Sequence, residues 1–343
     1  MQRWIRGTAM AALAAVTMTS GVAAQGTPAP TVSVGGVGYA QYNYNLSGTQ
    51  HNNAFDMTRT YINVTAKFAG GVSTRATSDI YRDPADGSLK YRLKYGYVAF
   101  QPNAGNVTYK FGLIQTPWVS REEDIWDYRM QGSIGVDRNG IMTSADFGLG
   151  ADAKLAGGRL DLNLAIVNGE GYSKPEGDQR KDYEVRASYR IANSDDTGPY
   201  GGLRLSGYAG IGKPTTGGER NRFLGMISYR TKQYTLAAEY VTTKDSTTGP
   251  AAVAERKGSL ISAFGVYHLT NSKVAVIGRV DIYDPNTDTA NNKNTRIIAG
   301  ASYQLSPNLR LLADADLLSH EAGDPTATID PRNQFLLQAQ FSF

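Results

Sequence analysis

Large apolar residues fall at every second position through most of this chain. Its last ten residues, QFLLQAQFSF, put Phe335, Leu337, Phe341 and Phe343 on one parity, with Leu336, Gln338, Gln340 and Ser342 between them. Successive side chains of a strand point to opposite faces, so this alternation predicts a strand with something oily on one side. The same period divides the chain into about sixteen segments of roughly ten residues, the length of a tilted strand that crosses a bilayer. They cover residues 32–45, 55–68, 72–82, 89–100, 106–114, 144–155, 159–168 and 182–191. The second half continues with 203–212, 222–230, 234–243, 257–269, 273–284, 295–304, 309–318 and 334–343. The pattern predicts an all-β fold, a transmembrane antiparallel up-and-down β-barrel whose even strand count brings both ends to one rim.

The connections carry a second signal. Tight turns such as Ala69-Gly70-Gly71, Ala156-Gly157-Gly158 and Thr231-Lys232-Gln233 alternate with longer polar loops such as NGEGYSKPEGDQRK and DPNTDTANNKN. Short turns at one rim and long loops at the other describe a barrel with a periplasmic and an external end. One expected periplasmic turn, 192–202, is anomalously long. The longest connection runs between Gln115 and Thr143, after the fifth segment. Outward faces read as apolar, as in Leu160, Leu162, Leu164 and Ile166, or Leu309, Leu311, Ala313, Ala315 and Leu317. A soluble sandwich would show the same period. Strand number, loop asymmetry and aromatics near strand ends separate the two. Tyr95, Tyr97, Tyr183, Tyr189, Tyr229, Tyr234, Tyr240, Tyr303, Phe341 and Phe343 suit the aromatic girdles of a membrane barrel.

Residues 1–24 change the picture of location. Arg3 and Arg6 precede a short apolar run, and Val22-Ala23-Ala24 forms a small-residue cleavage site. That is the pattern of a secretory signal peptide, too short in its apolar core to span a bilayer. The expected domain organisation is a leader over 1–24 and one barrel domain over 25–343, exported through the periplasm to the outer membrane of a Gram-negative cell. No Cys is present, which excludes a lipid anchor on Cys and a disulfide framework. The formal net charge of +4 falls to +2 without Arg3 and Arg6, too mild a balance to indicate nucleic acid.

Placement of charge is more informative than its total. In LKYRLKYGY, residues 89–97, strict alternation turns Leu89, Tyr91, Leu93, Tyr95 and Tyr97 to lipid and Lys90, Arg92 and Lys94 to the lumen. Same-face neighbours stand ~6.6 Å apart, so the three cations would form a ladder on the pore wall. Register adds inward Arg59, Lys67, Arg75 with Asp79, Lys110 and Arg159. Farther round come Arg186, Arg204, Arg222, Arg279, Arg296 and Arg310, faced by Asp146, Asp152, Asp161, Glu184, Glu239, Asp281, Asp314 and Asp316. Two readings stand: a web of solvated ion pairs that keeps the pore wet, or a basic stripe that favours anions. The pore-lining, anion-binding candidates are Lys90, Arg92, Lys94, Lys110, Arg59 and Arg75. In the long loop, Ser120-Arg121-Glu122-Glu123 resembles a helix N-terminus with Ser as cap. Such a helix would sit at a constriction with Trp118, Arg121, Trp126, Arg129 and Arg138, or the loop would shield the mouth from outside.

The run YKFGLIQTPW at 109–118, DYR from Asp127, and FGLGADAKLAGGRLDLNLAIVNGEGY from Phe147 resemble the phosphate- and polyphosphate-selective porins. Gly112, Gln115, Thr116 and Pro117 match that family's strand-to-loop motif, and Val167-Asn168-Gly169 a later one. The resemblance is clearest over 91–172. It implies a homotrimer of sixteen-stranded barrels with basic pore linings and a preference for anions. No individual phosphate-contacting residue matches, so phosphate selectivity is not implied. General porins fold their third external loop into the lumen at the position of the 115–143 connection, and outer-membrane proteins present a closing Phe, here Phe343, to their assembly machinery.

Other chemistries are poorly served. Gly148 to Ala153 satisfies G-x-G-x-x-A but lies inside a period-two segment and opens no helix, so it cannot cradle a phosphate. An outer-membrane hydrolase would need a base beside a serine, and His51, His268 and His320 have no such partner motif. Zinc lacks a Cys or a His pair. A non-conducting adhesin or structural barrel remains as an alternative, although its external loops would dominate and these are modest. The expectation is a non-enzymatic channel with no cofactor or metal, whose partners are outer-membrane lipid and small hydrophilic solutes, anions foremost.

Overall fold

The computed structural model describes residues 29–47, 51–83, 85–102, 105–248, 252–322 and 333–343; the leader expected at 1–24 lies outside these. The first eight strands are β1 Thr31–Asn45, β2 Asn53–Lys67, β3 Val72–Arg82, β4 Leu89–Phe100, β5 Val107–Gln115, β6 Ala145–Leu155, β7 Leu160–Val167 and β8 Asp182–Ala192. The rest are β9 Gly202–Gly212, β10 Glu219–Arg230, β11 Tyr234–Ser246, β12 Arg256–His268, β13 Val274–Asp284, β14 Asn294–Ser306, β15 Leu309–His320 and β16 Gln334–Ser342. Two helices, α1 Val119–Trp126 and α2 Gly135–Arg138, lie between β5 and β6. No strand bound departs from the alternation by more than three residues. Each strand pairs antiparallel with its sequence neighbours and β1 pairs with β16, so the sheet closes into a barrel. Closure removes the open edges that lipid cannot satisfy.

The outer surface is oily. Leu149, Leu164, Leu205, Ile227, Leu236, Ile261, Ile297 and Leu337 are exposed there, with Tyr183, Tyr189, Tyr240, Tyr267 and Tyr303. Strands of about ten residues, tilted by ~45°, raise an apolar band ~25 Å tall, which matches a bilayer interior. At the seam, the Gly36 amide donates to the Phe343 carbonyl at 2.8 Å and the Phe343 amide donates back at 3.1 Å. The Phe341 and Phe343 rings lie flat over Gly38 and Gly36: a Cβ on Gly38 would stand 2.3 Å from the Phe341 ring. Gly38→Val is expected to displace that ring and cost about 1–3 kcal/mol. The check is the temperature at which the barrel loses its folded mobility on a gel, and an unchanged midpoint would contradict the packing.

Four register shifts interrupt the ladders, two of them near the ends of β8 and β14 and two within the first four strands. Between β1 and β2 the register shifts at Thr58, and between β3 and β4 Thr77 faces Tyr95 while Ser78 faces Leu93, leaving Lys94 without an opposite residue. Leu89, Tyr91 and Leu93 are exposed outside, but beyond Lys94 the outward parity passes to Val98 and Phe100. Tyr95 and Tyr97, expected in the lipid-facing girdle, therefore lie inside. Tyr95 is buried and its hydroxyl contacts Ser120 Oγ at 3.4 Å, while Tyr97 packs with it against Leu113. An extra residue in one strand inverts the facing of everything after it.

Candidate functional site: a half-filled lumen

The connection between β5 and β6 folds into the barrel. Trp118, Val119, Ile125, Trp126, Tyr128 and Met130 pack against inward-facing Tyr208, Leu224, Met226, Leu260, Phe264 and Val266. Inner faces of β9 to β15 that a wet pore would keep polar are thus apolar, because they meet a loop and not water. The Trp126 ring sits edge-on to Phe264 at 5.2 Å, and the Trp118 ring to Tyr208 at 6.1 Å. Both Trp side chains are buried anchors. Ser120 is not the helix cap: α1 starts after Trp118 and no side chain caps it. Asp127 ends it in a left-handed conformation, its amide bonded to the Glu123 carbonyl, which Asp tolerates better than most residues.

Wall arginines hold the loop's backbone. Arg186 donates to the Pro117 carbonyl at 2.7 Å, Arg222 to that of Ile141 at 2.9 Å, Arg230 to that of Asp124 at 3.1 Å, and Arg310 to that of Asp127 at 2.7 Å. A folded-in loop leaves carbonyls without helix or sheet partners, and cationic donors satisfy them with charge-assisted bonds. Tyr128 adds a 2.7 Å contact to Ser302, and Gln338 donates to the Met130 carbonyl at 2.9 Å. The expected choice between a solvated web and a free basic stripe fails on this side, since these cations are loop fasteners.

The loop's own charges are tied as well. Arg121 and Arg186 share Asp161 at 2.9 and 3.1 Å, and Arg121 also donates to Ser188. Arg138 lies 3.8 Å from Asp281 and donates to Gln131. Of the three expected gate cations only Arg129 borders the open space, and it is paired with Glu123 at 2.8 Å. Under α1, Glu122 is fully buried and receives the Trp118 indole at 3.0 Å and Arg279 at 3.3 Å. Arg279 in turn binds Asp281 at 2.8 Å. Burial pushes the Glu122 carboxyl up to about 6, against the pull of Arg279.

The widest open part of the lumen lies between α1 and the wall of β1 to β4, a cavity of 720 Å³, and smaller ones of 350 and 440 Å³ lie beyond the loop at Ile141. Tyr39, Tyr61, Arg75, Lys94 and Tyr95 line one side, and Glu123, Asp124 and Arg129 the other. Arg59 and Arg92 both bind Asp79, at 2.6 and 2.8 Å. Arg92 is also stacked between Tyr81 and Tyr172, 4.0 and 4.4 Å from their centroids. Arg75 bonds Asn63 and Thr77 and lies 4.8 Å over Tyr95. Lys94 stands 4.6 Å over Tyr61. Lys110 pairs with Asp152 at 2.5 Å. Lys90 departs from the expected ladder: it turns to Asp83 and Asp86 of the β3–β4 turn at 2.6 and 2.9 Å. Its hydrogen bond holds the Asp83 carboxyl below the usual range, so that rim is neutralised.

Alternation alone missed the lumen's aromatic members, Tyr39, Tyr61, Tyr81, Tyr172 and Tyr200. Tyr200 carried a usable signal, because it sits in the overlong turn between β8 and β9. From there it reaches under α1 to donate to Asp124 at 2.5 Å. The G-x-G-x-x-A stretch lies within β6, where Gly150 leaves room for Ile114.

No protein-family model matches the chain, and no curated protein matches its sequence. Solved structures do match in shape. An anion-selective porin from Comamonas acidovorans shares 13% identity, with 92% of this chain and 100% of that one covered and a TM-score of 0.68. OmpF of Salmonella typhi, in complex with daunomycin, shares 14% over 91% and 97%, also at 0.68. The trimer form of OmpT, an outer membrane protein of Vibrio cholerae, shares 12% over 92% and 100%, at 0.66. At such identities the likeness establishes the fold, the sixteen-stranded barrel of the porins.

Proposed function

We propose that the chain is an outer-membrane porin, a homotrimer whose water-filled barrels pass small hydrophilic solutes passively and prefer anions. The apolar belt requires a lipid surround, and the barrel width suits an aqueous channel. One observation carries the anion preference. On the open wall Arg59 and Arg92 share the single carboxylate of Asp79, while Arg75 and Lys94 have no carboxylate within 4.0 Å among the described residues. Tyrosine rings and amides position these cations without cancelling their charge, so the wall keeps a positive potential. Arg59, Arg75, Arg92 and Lys94 would lower the barrier for anions through several weak attractions, which permit exit as well as entry, whereas Lys110 is matched by Asp152. The reading assigns no bond-making or bond-breaking step to the protein. Phosphate-like ions fall within the solutes considered. Phe343, at the seam, is the segment the assembly machinery would engage.

The test is the reversal potential of single channels in a KCl gradient. Chloride is expected to permeate better than potassium, and Arg75→Gln with Lys94→Gln should move the ratio toward the cation by severalfold. A potassium preference in the unaltered protein would overturn the anion claim. Well-folded protein without conductance would favour the adhesin reading.

A further inference from the structure

The bulge at Lys94 creates an uncommon situation. Its side chain is only 5% exposed, yet it borders the 720 Å³ cavity. Its ammonium has three donors, and the Tyr61 hydroxyl at 3.5 Å is its one hydrogen-bond partner among the described residues. Ring faces of Tyr61 and Tyr95 lie 4.6 and 5.5 Å away. A buried cation with no carboxylate in contact is costly, Glu123 across the cavity lying beyond ion-pair distance, and an anion in the cavity would complete it. Bulges re-aim single side chains, and they concentrate beside functional sites.

Arg75 converges on the same place, since its guanidinium lies 4.8 Å from the Tyr95 centroid. The remaining charges around the cavity are mostly satisfied. Arg129 is bound to Glu123, Arg230 to Asp196 at 3.1 Å, and Asp127 to Arg310 at 3.1 Å. Asp124 stands opposite with a Tyr200 hydroxyl as its partner. Two unpaired cations against one carboxylate leave a single positive charge.

We propose that Lys94 and Arg75 form a saturable binding site for a small organic monocarboxylate. The carboxylate would lie between the two cations, with a planar apolar body against Tyr39 and Tyr61, whose rings meet edge-on at 6.2 Å. One net positive charge matches a monoanion. A phosphate dianion would set its second charge against Asp124. Convergent polar groups in a concave site with apolar rings are what orient a small ligand. The site rests on the anion-preferring channel proposed above and names the solute class that channel would hold.

Single-channel recordings in KCl with added benzoate test it, with phosphate as comparator and the reversal potential read from the same bilayers. Benzoate is expected to reduce the chloride current with a saturable dependence, at lower concentration than phosphate. Lys94→Gln should raise the half-blocking concentration at least tenfold, while Lys94→Arg retains the block. Should benzoate fail to block an anion-selective channel, block Lys94→Gln equally well, or act no better than phosphate, the site is refuted and the channel reading stands. A cation-selective reversal potential would remove both. If Lys94→Gln does not fold, Arg75→Gln serves in its place and should also weaken the block tenfold.

Discussion

Replacing residues 119–138 with a short Gly-Ser linker should raise single-channel conductance severalfold. The loop carries both helices and its packed aromatics fill the side of the barrel bounded by β9 to β15. Conductance follows the cross-section left to water, and a sixteen-stranded barrel is wide enough for an aqueous channel once it is cleared. The strand ladder does not depend on the loop, because each strand bonds only to its neighbours. The barrel is therefore expected to keep its folded mobility on a gel. Should the apolar inner wall left behind prevent folding, Trp126→Ala offers a milder change, costing about 3–5 kcal/mol of packing and loosening the loop. Unchanged conductance in a folded variant would mean that the loop does not set the constriction.

A second large effect is expected at Arg279. Replacing it with Met removes the cation that serves Glu122 and Asp281 beneath α1 and leaves Glu239 buried beside them. Stripping one partner from a buried charged cluster costs about 3–5 kcal/mol. The loop should undock. Apart from Trp4, Trp118 and Trp126 are the only tryptophans of the sequence, so acrylamide quenching of the chain from Gln25 onward reads docking directly. Quenching is expected to rise severalfold in Arg279→Met, and a native quenching constant would contradict the anchor. The same probe has a pH signature. Burial raises the Glu122 carboxyl from 4.5 to about 6, so between those values the docked loop binds more protons than the undocked one. Docking therefore strengthens as pH falls through that window and levels below it. Quenching should decline over the same range, and Glu122→Gln should flatten the dependence.

Strand positions were legible because a sheet between lipid and water imposes a two-residue period on sequence. The Lys94 bulge was not read, although it left a trace. Leu89, Tyr91 and Leu93 hold the odd parity, whereas Val98 and Phe100 hold the even one, and that slip requires an extra residue between them. Tyr95 and Tyr97 were misplaced for this reason alone. The inward loop could be anticipated from its length and tryptophans, but its cap could not, since hydrophobic docking of Trp118 prevails over the local preference of Ser120. The arginines are the clearest limit. Parity correctly turns Arg186, Arg222 and Arg310 inward, yet whether such a group meets a solute or a carbonyl depends on where a distant segment comes to rest.

Because the loop is mortared to β7 through β16 and touches β1 through β4 only lightly, as at Tyr95, the barrel's two halves are free to change at different speeds. A substitution among the inner residues of β12 must suit Trp126 as well as its own strand. One at Asn63 or Thr77 answers chiefly to Arg75, which both of them hold beside the cavity. Solute preference can therefore be retuned along four strands while the masonry opposite is left alone.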